Sequence, residues 1–184
     1  MPRYIAFLRA VNVGGRVVKM AQLKSIFESI ALTNVETFIA SGNVIFSNKS
    51  KSVPSLVRNI EDALQAELNY DVPVFLRSDS ELYAIAERRH AVFSESEVSG
   101  AHSLNVGMLH APLTPDTEKA MLSFNSDTET FRTHEREIYM LLHSPVTTSK
   151  FSIKRFEKAI GAETTFRNMN TMQRLAKKYP ATNT

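Results

Sequence analysis

Two short polar segments near opposite ends of the chain contain residue types suited to binding an anion. The first is Arg-Ala-Val-Asn-Val-Gly-Gly at 9–15, and the second is Arg-Asn-Met-Asn-Thr at 167–171. Each lies where a strand-like apolar run gives way to a helical pattern, and such junctions collect backbone N–H groups without partners. Arginine supplies charge, asparagine supplies directed hydrogen bonds, and glycine lets the backbone approach a ligand closely. The two segments therefore predict a pocket for a small anion bearing phosphate or carboxylate groups.

If the fold brings these segments together, the predicted pocket lies between the two halves of the chain. The turn-like sequence Ser-Gly-Asn at 41–43 would add an amide. Arg9 and Arg77, which each follow an apolar strand, would extend the pocket together with Lys150 or, alternatively, form surface ion pairs. The predicted ligand-binding residues are Arg9, Asn12, Gly14, Gly15, Asn43, Arg77, Lys150, Arg167, Asn168, Asn170 and Thr171.

Simpler structural roles fit the same residues. Asn12 would bond local backbone beside a glycine turn, and Ser-Gly-Asn at 41–43 would close a hairpin. Asn168 would cap the last helix, while Arg167 and Asn170 would satisfy backbone carbonyls between two structural units. Arg167 favours a ligand in one respect, because a cation directly before a helix N-terminus opposes the helix dipole unless an anion lies beside it. The residues alone are compatible with both interpretations.

The sequence predicts no catalytic centre. The glycines at 14–15 are not followed by the Gly-Lys-Ser/Thr of a phosphate-binding loop, and no Gly-x-Ser-x-Gly or His-Glu-x-x-His motif occurs. The chain has no cysteine and its five histidines form no close helical pair, so a metal site is not expected. These residues decide neither whether the protein is an enzyme nor which cofactor, if any, it takes.

Charge is distributed unevenly along the chain. The net charge is +3, but residues 150–184 carry eight Lys and Arg against two Glu, so the preceding part is net negative. An alternative function is therefore nucleic-acid binding or protein interaction through the basic C-terminal helices. The predicted central strands lack the glycine and aromatic pattern of the common RNA-binding β-α-β-β-α-β module. The simplest explanation of these cations is a solvated helix face, where lysines near a C-terminus suit the helix dipole.

Composition indicates an ordinary globular protein. Hydrophobic residues make up 43% of the chain and charged residues 22%. No stretch approaches the roughly 20 apolar residues that span a bilayer, and the first apolar run, interrupted at Arg9, is too short for a signal peptide. We therefore expect a cytoplasmic protein that does not enter the membrane.

Hydrophobic spacing predicts the order β-α-β-β-α-β twice. In the first copy the predicted strands are 4–8, 37–40, 44–47 and 72–76, and the predicted helices are 20–31 and 54–68. In the second copy the predicted strands are 104–109, 129–133, 137–142 and 164–166, with helices from 114, near 153–160 and over 169–179. Between the copies, the capping-box sequence Ser-Asp-Ser-Glu at 78–81 starts a connecting helix, and 90–102 is expected to form a loop.

The expected fold class is α+β, with two tandem ferredoxin-like units whose helices pack on antiparallel sheets. The N-terminal unit would cover residues 1–78. A connecting helix and loop would occupy 79–102, and the C-terminal unit would cover 103–184 with the terminal helix.

Three separated stretches, at 4–15, 37–44 and 167–171, resemble the bacterial "domain of unknown function 1697" family. They occur in the family's order, and the similarity extends over nearly the whole chain. Family members usually have Arg-Gly-Ile-Asn-Val-Gly-Gly at the position of 9–15, and often tryptophan and glutamine where this chain has Met169 and Ala40. The resemblance implies an α/β fold and supplies no activity.

Overall fold

The computed structural model describes residues 1–12, 15, 17–39, 42–50, 52–145 and 151–181. The chain divides into two compact units. The first unit comprises Met1–Tyr83 together with Leu175–Thr184, and the second unit comprises Ala84–Arg174. The end of the last helix thus groups with the first unit, although it follows the second unit in sequence.

The first unit is a four-stranded antiparallel sheet with two crossover helices. Its elements are β1 (Arg3–Leu8), α1 (Met20–Ser29), β2 (Thr33–Thr37), β3 (Asn43–Ser47), α2 (Val53–Leu68) and β4 (Val74–Ser78). The strand order is β2-β3-β1-β4, so β1 lies in the middle of the sheet and pairs with both β3 and β4. This is the ferredoxin-like arrangement that the sequence predicts.

The second unit repeats that arrangement after three connecting helices, the first of which begins in the first unit. The elements are α3 (Asp79–Glu87), α4 (Arg89–Val92), α5 (Glu95–Ser99), β5 (Ser103–Met108), α6 (Pro115–Leu122), β6 (Glu129–His134), β7 (Glu137–Leu142), α7 (Ile153–Ile160), β8 (Thr165–Asn168) and α8 (Met169–Lys178). The strand order is β6-β7-β5-β8, and all neighbouring strands are antiparallel. The predicted α+β fold class is therefore confirmed.

Residues 90–102 do not form the predicted loop. They contain most of α4, all of α5 and the buried Phe93 between them, and we call residues 89–99 the α4–α5 segment. Ser94 and Glu97 form a reciprocal capping box at the start of α5, in which each side chain accepts from the other residue's backbone N–H. The sequence pattern does not predict these two helices, because helices of about one turn contain too few apolar residues to show a helical period.

The strand predicted at 37–40 is also wrong, because β2 ends at Thr37. β2 is an edge strand with one neighbouring strand, and Val35 is its only buried residue. Because so little of β2 is buried, the strand forms without a continuous apolar sequence. The loop after β2 contains Ile39 at φ 51° and Gly42 at φ 69°. A Cβ on Gly42 would lie 3.2 Å from the Leu8 Cβ, so this turn requires glycine both for its backbone angle and for its close approach to β1.

Five phenylalanines of the described residues form one cluster in the core of the second unit. Phe156 is fully buried, and its ring centroid lies 5.0–6.3 Å from the ring centroids of the other four. Gly107 on β5 lets β8 approach, because a Cβ there would lie 2.7 Å from the Phe166 ring and 2.9 Å from the Thr164 hydroxyl. Aromatic packing of this kind fixes the sheet against α6 and α7. In the part of the chain that the structure describes, no helix is both long and apolar enough to span a membrane.

Candidate functional site

The predicted site residues of the first unit lie at two ends of its sheet. Arg9 follows β1, and its backbone N–H donates to the Pro73 carbonyl before β4. Arg77 pairs with Ile5 on β1, four residues before Arg9. At about 3.3 Å per residue these register positions are about 13 Å apart, so the sheet separates Arg77 from Arg9.

Three of these first-unit residues bond nearby backbone. The Asn12 Oδ1 accepts from the Val18 N–H at 2.8 Å, and the fully buried Asn43 donates through Nδ2 to the Phe38 carbonyl at 3.1 Å. Arg77 is 1% exposed and donates through Nη1 to the Leu76 carbonyl at 2.8 Å. Gly15 is exposed and has φ 83°. The contacts of Asn12 and Asn43 are those expected from their structural interpretation.

The second polar segment surrounds the junction of β8 and α8. Asn168 Oδ1 accepts from the Asn170 N–H at 2.9 Å and so caps the start of α8. Arg167 donates through Nη1 to the Thr165 hydroxyl and to the Phe166 carbonyl, each at 2.9 Å. Burial lowers the pKa of Arg167 to about 10, so the guanidinium is still charged at neutral pH. Thr171 lies in the first turn of α8 and is half-buried, while Gly14 and Lys150 lie outside the described residues.

A polar pocket of about 200 Å³ opens beside this junction, inside the second unit. Its lining residues come from α4, α5, the start of β5 and the start of α8. They are Arg89, Val98, Ala101, His102, Ser103, Leu104, Asn168, Met169 and Asn170. The structure therefore brings two of the predicted site residues, Asn168 and Asn170, together with a cation and a histidine that the sequence reasoning did not select.

Arg89 has a buried polar atom without a partner. Its Nε is buried and makes no hydrogen bond, although the whole side chain is 22% exposed. The nearest acid is Glu95, whose Oε1 lies 3.7 Å from Nη2, beyond hydrogen-bond range. The other Glu95 oxygen lies 3.2 Å from the His90 Nδ1. An unmade hydrogen bond at a buried donor costs about 1–3 kcal/mol, so this edge of the guanidinium is suited to a ligand oxygen.

Arg132 on β6 holds the α4–α5 segment against the sheet. Its guanidinium lies 4.3 Å from the centroid of the Phe93 ring and donates to the Val92 carbonyl. Its Nη2 also donates to the Glu97 Oε1 at 2.7 Å. Because Arg89 belongs to the same segment, these contacts position one side of the pocket.

Glu97 makes this attachment sensitive to acid. The pKa of Glu97 is lowered from 4.5 to about 2, chiefly by the Ser94 backbone N–H, then by the Ser94 hydroxyl and by Arg132. A carboxyl whose pKa is lower in the folded state stabilises that state above pH 4.5 and loses this contribution as pH falls towards 2. We expect Glu97→Gln to destabilise the protein at pH 7 and the difference from wild type to shrink between about pH 4.5 and 2 in urea titrations.

The matched control for Glu97 is Glu135→Gln, since the Glu135 side chain is 76% exposed. The free energy of unfolding of Glu135→Gln should differ little from that of wild type, both at pH 7 and near pH 2. A Glu97→Gln difference that stays constant down to pH 2 would contradict the assigned role of this carboxylate.

The basic residues near the C-terminus do not all face solvent freely. Lys178 donates through Nζ to Glu36 at 3.1 Å, and the Tyr179 hydroxyl donates to the same carboxylate at 2.7 Å. The Tyr179 hydroxyl and Lys178 lower the pKa of Glu36. In contrast, Lys154, Arg155 and Lys158 on α7 are exposed. The basic residues near the C-terminus therefore have two roles. Lys178 contacts Glu36 within the first unit, and the basic residues of α7 form an exposed helix face in the second unit.

Arg89 and His102 were missed because no motif surrounds them. Their only signal is a pair of arginines at the end of a predicted helix and a histidine before a predicted strand. Across the described ranges, no three His, Cys, Asp or Glu side chains are grouped as a metal ion would require.

The model of the family described as "Protein of unknown function (DUF1697)" matches residues 1–139. No curated protein matches the chain. The solved structure of conserved bacterial protein SP0830 from Streptococcus pneumoniae is similar, with a TM-score of 0.72 and 21% identity over 96% of this chain and 97% of that chain. At this identity the similarity shows a shared fold.

Proposed function

This chain belongs to the DUF1697 family, and we propose from its own residues that it binds a small anion in the pocket between the α4–α5 segment and the start of α8. The observation that carries the proposal is the buried Nε of Arg89, which makes no hydrogen bond. A carboxylate or phosphate oxygen would satisfy this donor, and both ligand classes suit the expectation from the sequence.

The guanidinium of Arg89 offers two parallel donors along one edge. Nε makes no hydrogen bond, and Nη2 forms an ion pair of 3.7 Å with Glu95, whose side chain is 70% exposed. A ligand anion would replace this exposed carboxylate at Nη2. A planar carboxylate or two phosphate oxygens can accept from Nε and Nη2 at once, a pairing that a single lysine ammonium cannot reproduce. This geometry favours an oxyanion over a halide.

Asparagine amides and the start of α8 supply further donors. Asn168 uses its Oδ1 for the cap, so its Nδ2 group is the part that can donate to a ligand. Asn170 and His102 are exposed and line the same pocket. The positive end of the α8 dipole favours a negative ligand, and none of the described residues lining the pocket is acidic.

Pocket size limits the ligand. A volume of about 200 Å³ is below the usual range of roughly 300–1,000 Å³ for drug-sized ligands. The pocket therefore suits inorganic phosphate, a small carboxylate or the terminal group of a phosphorylated metabolite.

The direct test is calorimetric titration of wild type and Arg89→Gln with inorganic phosphate, citrate and a three-carbon phosphomonoester. A charge-assisted hydrogen bond contributes about 1.5–3 kcal/mol, so Arg89→Gln should weaken binding by roughly ten- to a hundredfold. A bound anion at about one hundred times its dissociation constant should also add about 2.7 kcal/mol to the wild-type stability.

Arg88→Gln is the matched control. It removes the same charge from the residue next to Arg89, and the Arg88 side chain does not line the pocket. It should bind the anion as wild type does. Equal affinities of wild type and Arg89→Gln would contradict the proposal. Binding of oligonucleotides alone, weakening steeply with salt, would instead favour nucleic-acid recognition by the basic face of α7.

A further inference from the structure

Glu95, the first residue of α5, pairs with two basic side chains of α4 through different oxygens. Its Oε1 lies 3.7 Å from the Arg89 Nη2, and its Oε2 lies 3.2 Å from the His90 Nδ1. Arg89 lines the anion pocket, whereas Glu95 and His90 do not. A carboxylate outside the pocket is therefore shared between a histidine and the arginine that is proposed to bind the anion.

The Glu95 carboxylate and a bound anion compete for Arg89. Both place negative oxygens beside Nη2, so they repel each other and occupy that position in turn. Because the Glu95 side chain is 70% exposed, it can turn into solvent without leaving a buried charge unpaired. Exposed ion pairs are weak, and an occupant held in this way reduces the affinity of a competing anion by about two- to fivefold.

The charge of His90 determines how strongly Glu95 is drawn away from Arg89. Histidine is the side chain that ordinarily changes charge between about pH 5 and 8, and a protonated imidazole donates a charge-assisted hydrogen bond to a carboxylate. The Glu95 Oε2, at 3.2 Å from the His90 Nδ1, is already placed to accept this bond. When His90 is neutral, Arg89 is the only cation within ion-pair distance of Glu95 in the part of the chain that the structure describes.

The other charged groups near His90 keep their charge between about pH 5.5 and 8. Glu97 of α5 pairs with Arg132 of β6 at 2.7 Å, and the pKa of Glu97, about 2, leaves this carboxylate ionised. Arginine side chains stay protonated over the same range. Among the described residues, Glu95 is the one acid within ion-pair distance of His90. A pH-dependent affinity that requires Glu95 therefore reports the charge of His90.

We infer that Glu95 is an internal competitor of the anion and that protonation of His90 withdraws it from Arg89, so that the pocket binds anions more tightly as the pH falls. This inference rests on the proposed anion site and assigns its regulation. Because the fraction of molecules with Arg89 accessible multiplies the affinity for every ligand, Glu95 lowers the affinity for different anions by one common factor. We call the ratio of the Glu95→Gln affinity to the wild-type affinity the competition factor.

The experiment is calorimetric titration of the full chain with sulfate and methanesulfonate at about pH 8 and about pH 5.5. The two anions share a tetrahedral head, carry two charges and one charge respectively, and do not titrate in this range. At about pH 8 the competition factor should be about two to five for both anions. At about pH 5.5 it should approach one, because protonated His90 already holds Glu95 away from Arg89.

Two histidine variants separate competition by Glu95 from the charge of the pocket itself. In a His90→Asn background, the competition factor should stay at its high-pH value at both pH values. In a His102→Asn background the affinity itself changes, because His102 lines the pocket, but the competition factor should still fall with pH. Glu87→Gln is the matched control for Glu95→Gln, since it removes an exposed acid that lies two residues before Arg89 and does not line the pocket.

The outcomes distinguish this inference from the proposed function. If wild type binds neither anion, or if Arg89→Gln binds both as wild type does, the anion site and its regulation both fail. If Arg89→Gln weakens binding while Glu95→Gln matches wild type or Glu87→Gln at about pH 8, the site stands and the competitor is overturned. A gain that is larger for sulfate than for methanesulfonate would show through-space repulsion instead of competition, and a competition factor that does not change with pH would overturn the role of His90.

Discussion

Replacing Phe156 with alanine is expected to lower the free energy of unfolding by about 3–5 kcal/mol. The side chain is fully buried and packs within ring-contact distance of four other phenylalanines, the closest being Phe131 at 5.0 Å between centroids. Its removal forfeits the transfer free energy of the ring and leaves a cavity that rigid neighbours fill poorly. Equilibrium urea denaturation followed by circular dichroism measures the change.

Ile153→Ala on the same helix is the matched control for Phe156, because Ile153 is 38% exposed and begins α7. Its cost should be well below that of Phe156→Ala, since a partly exposed side chain loses less burial on truncation. A Phe156→Ala cost below about 1 kcal/mol would mean that the aromatic cluster does not form the core described above.

Arg77→Ala is expected to cost about 2–4 kcal/mol of stability. Arg77 is the largest fully buried side chain described, with 1% exposure, and its guanidinium donates to the Leu76 carbonyl at 2.8 Å. Truncation of the Arg77 side chain leaves a cavity at its buried position and removes the hydrogen bond that the Leu76 carbonyl accepts. The same urea titration, together with phosphate titration, separates a loss of stability from a loss of binding.

Arg58→Ala is the matched control for Arg77, because it removes an arginine from the exposed face of α2. Surface substitutions of this kind change stability by less than about 0.5 kcal/mol. Under the present account, Arg77→Ala leaves the dissociation constant for phosphate unchanged. If Arg77→Ala has normal stability and no longer binds phosphate, this structural role is wrong and Arg77 belongs to the ligand site, as predicted from the sequence.

Both ferredoxin-like units could be predicted from the sequence, because their long elements show clear periods. The strands predicted at 129–133 and 137–142 agree with β6 and β7 to within one residue, and the helix predicted from Ile153, Phe156 and Ile160 is α7. The errors lie where the period is short or weak. Edge strand β2 buries only Val35, and α4 and α5 are too short to show an apolar stripe.

A two-residue shift in β4 changed the interpretation of Arg77. The apolar run 72–76 suggested a strand that ends before Arg77, so the arginine was expected near a strand end. The observed strand is Val74–Ser78, because Pro73 has no N–H to give to the ladder and lies before its first residue. Arg77 therefore lies within the sheet and is buried, which no local pattern reveals.

The candidate site could be predicted only in part. Asn168 and Asn170 were selected because their segment joins a strand to a helix, and this junction lines the pocket. Arg89 and His102 reach the same pocket through the packing of the α4–α5 segment, which Arg132 holds in place from β6. Such long-range packing leaves no spacing signal, so sequence patterns identify the junction and not its partners.

The most direct measurement is the ¹⁵N-detected shift of the Arg89 Nε–H during titration of the full chain with inorganic phosphate. Anion binding at the pocket predicts a saturable shift of this resonance, accompanied by shifts of the Asn168 and Asn170 side-chain amides. The Nε–H of Arg88 should stay in place throughout the same titration. An Arg89 resonance that does not move, or that moves no more than that of Arg88, would contradict the anion pocket.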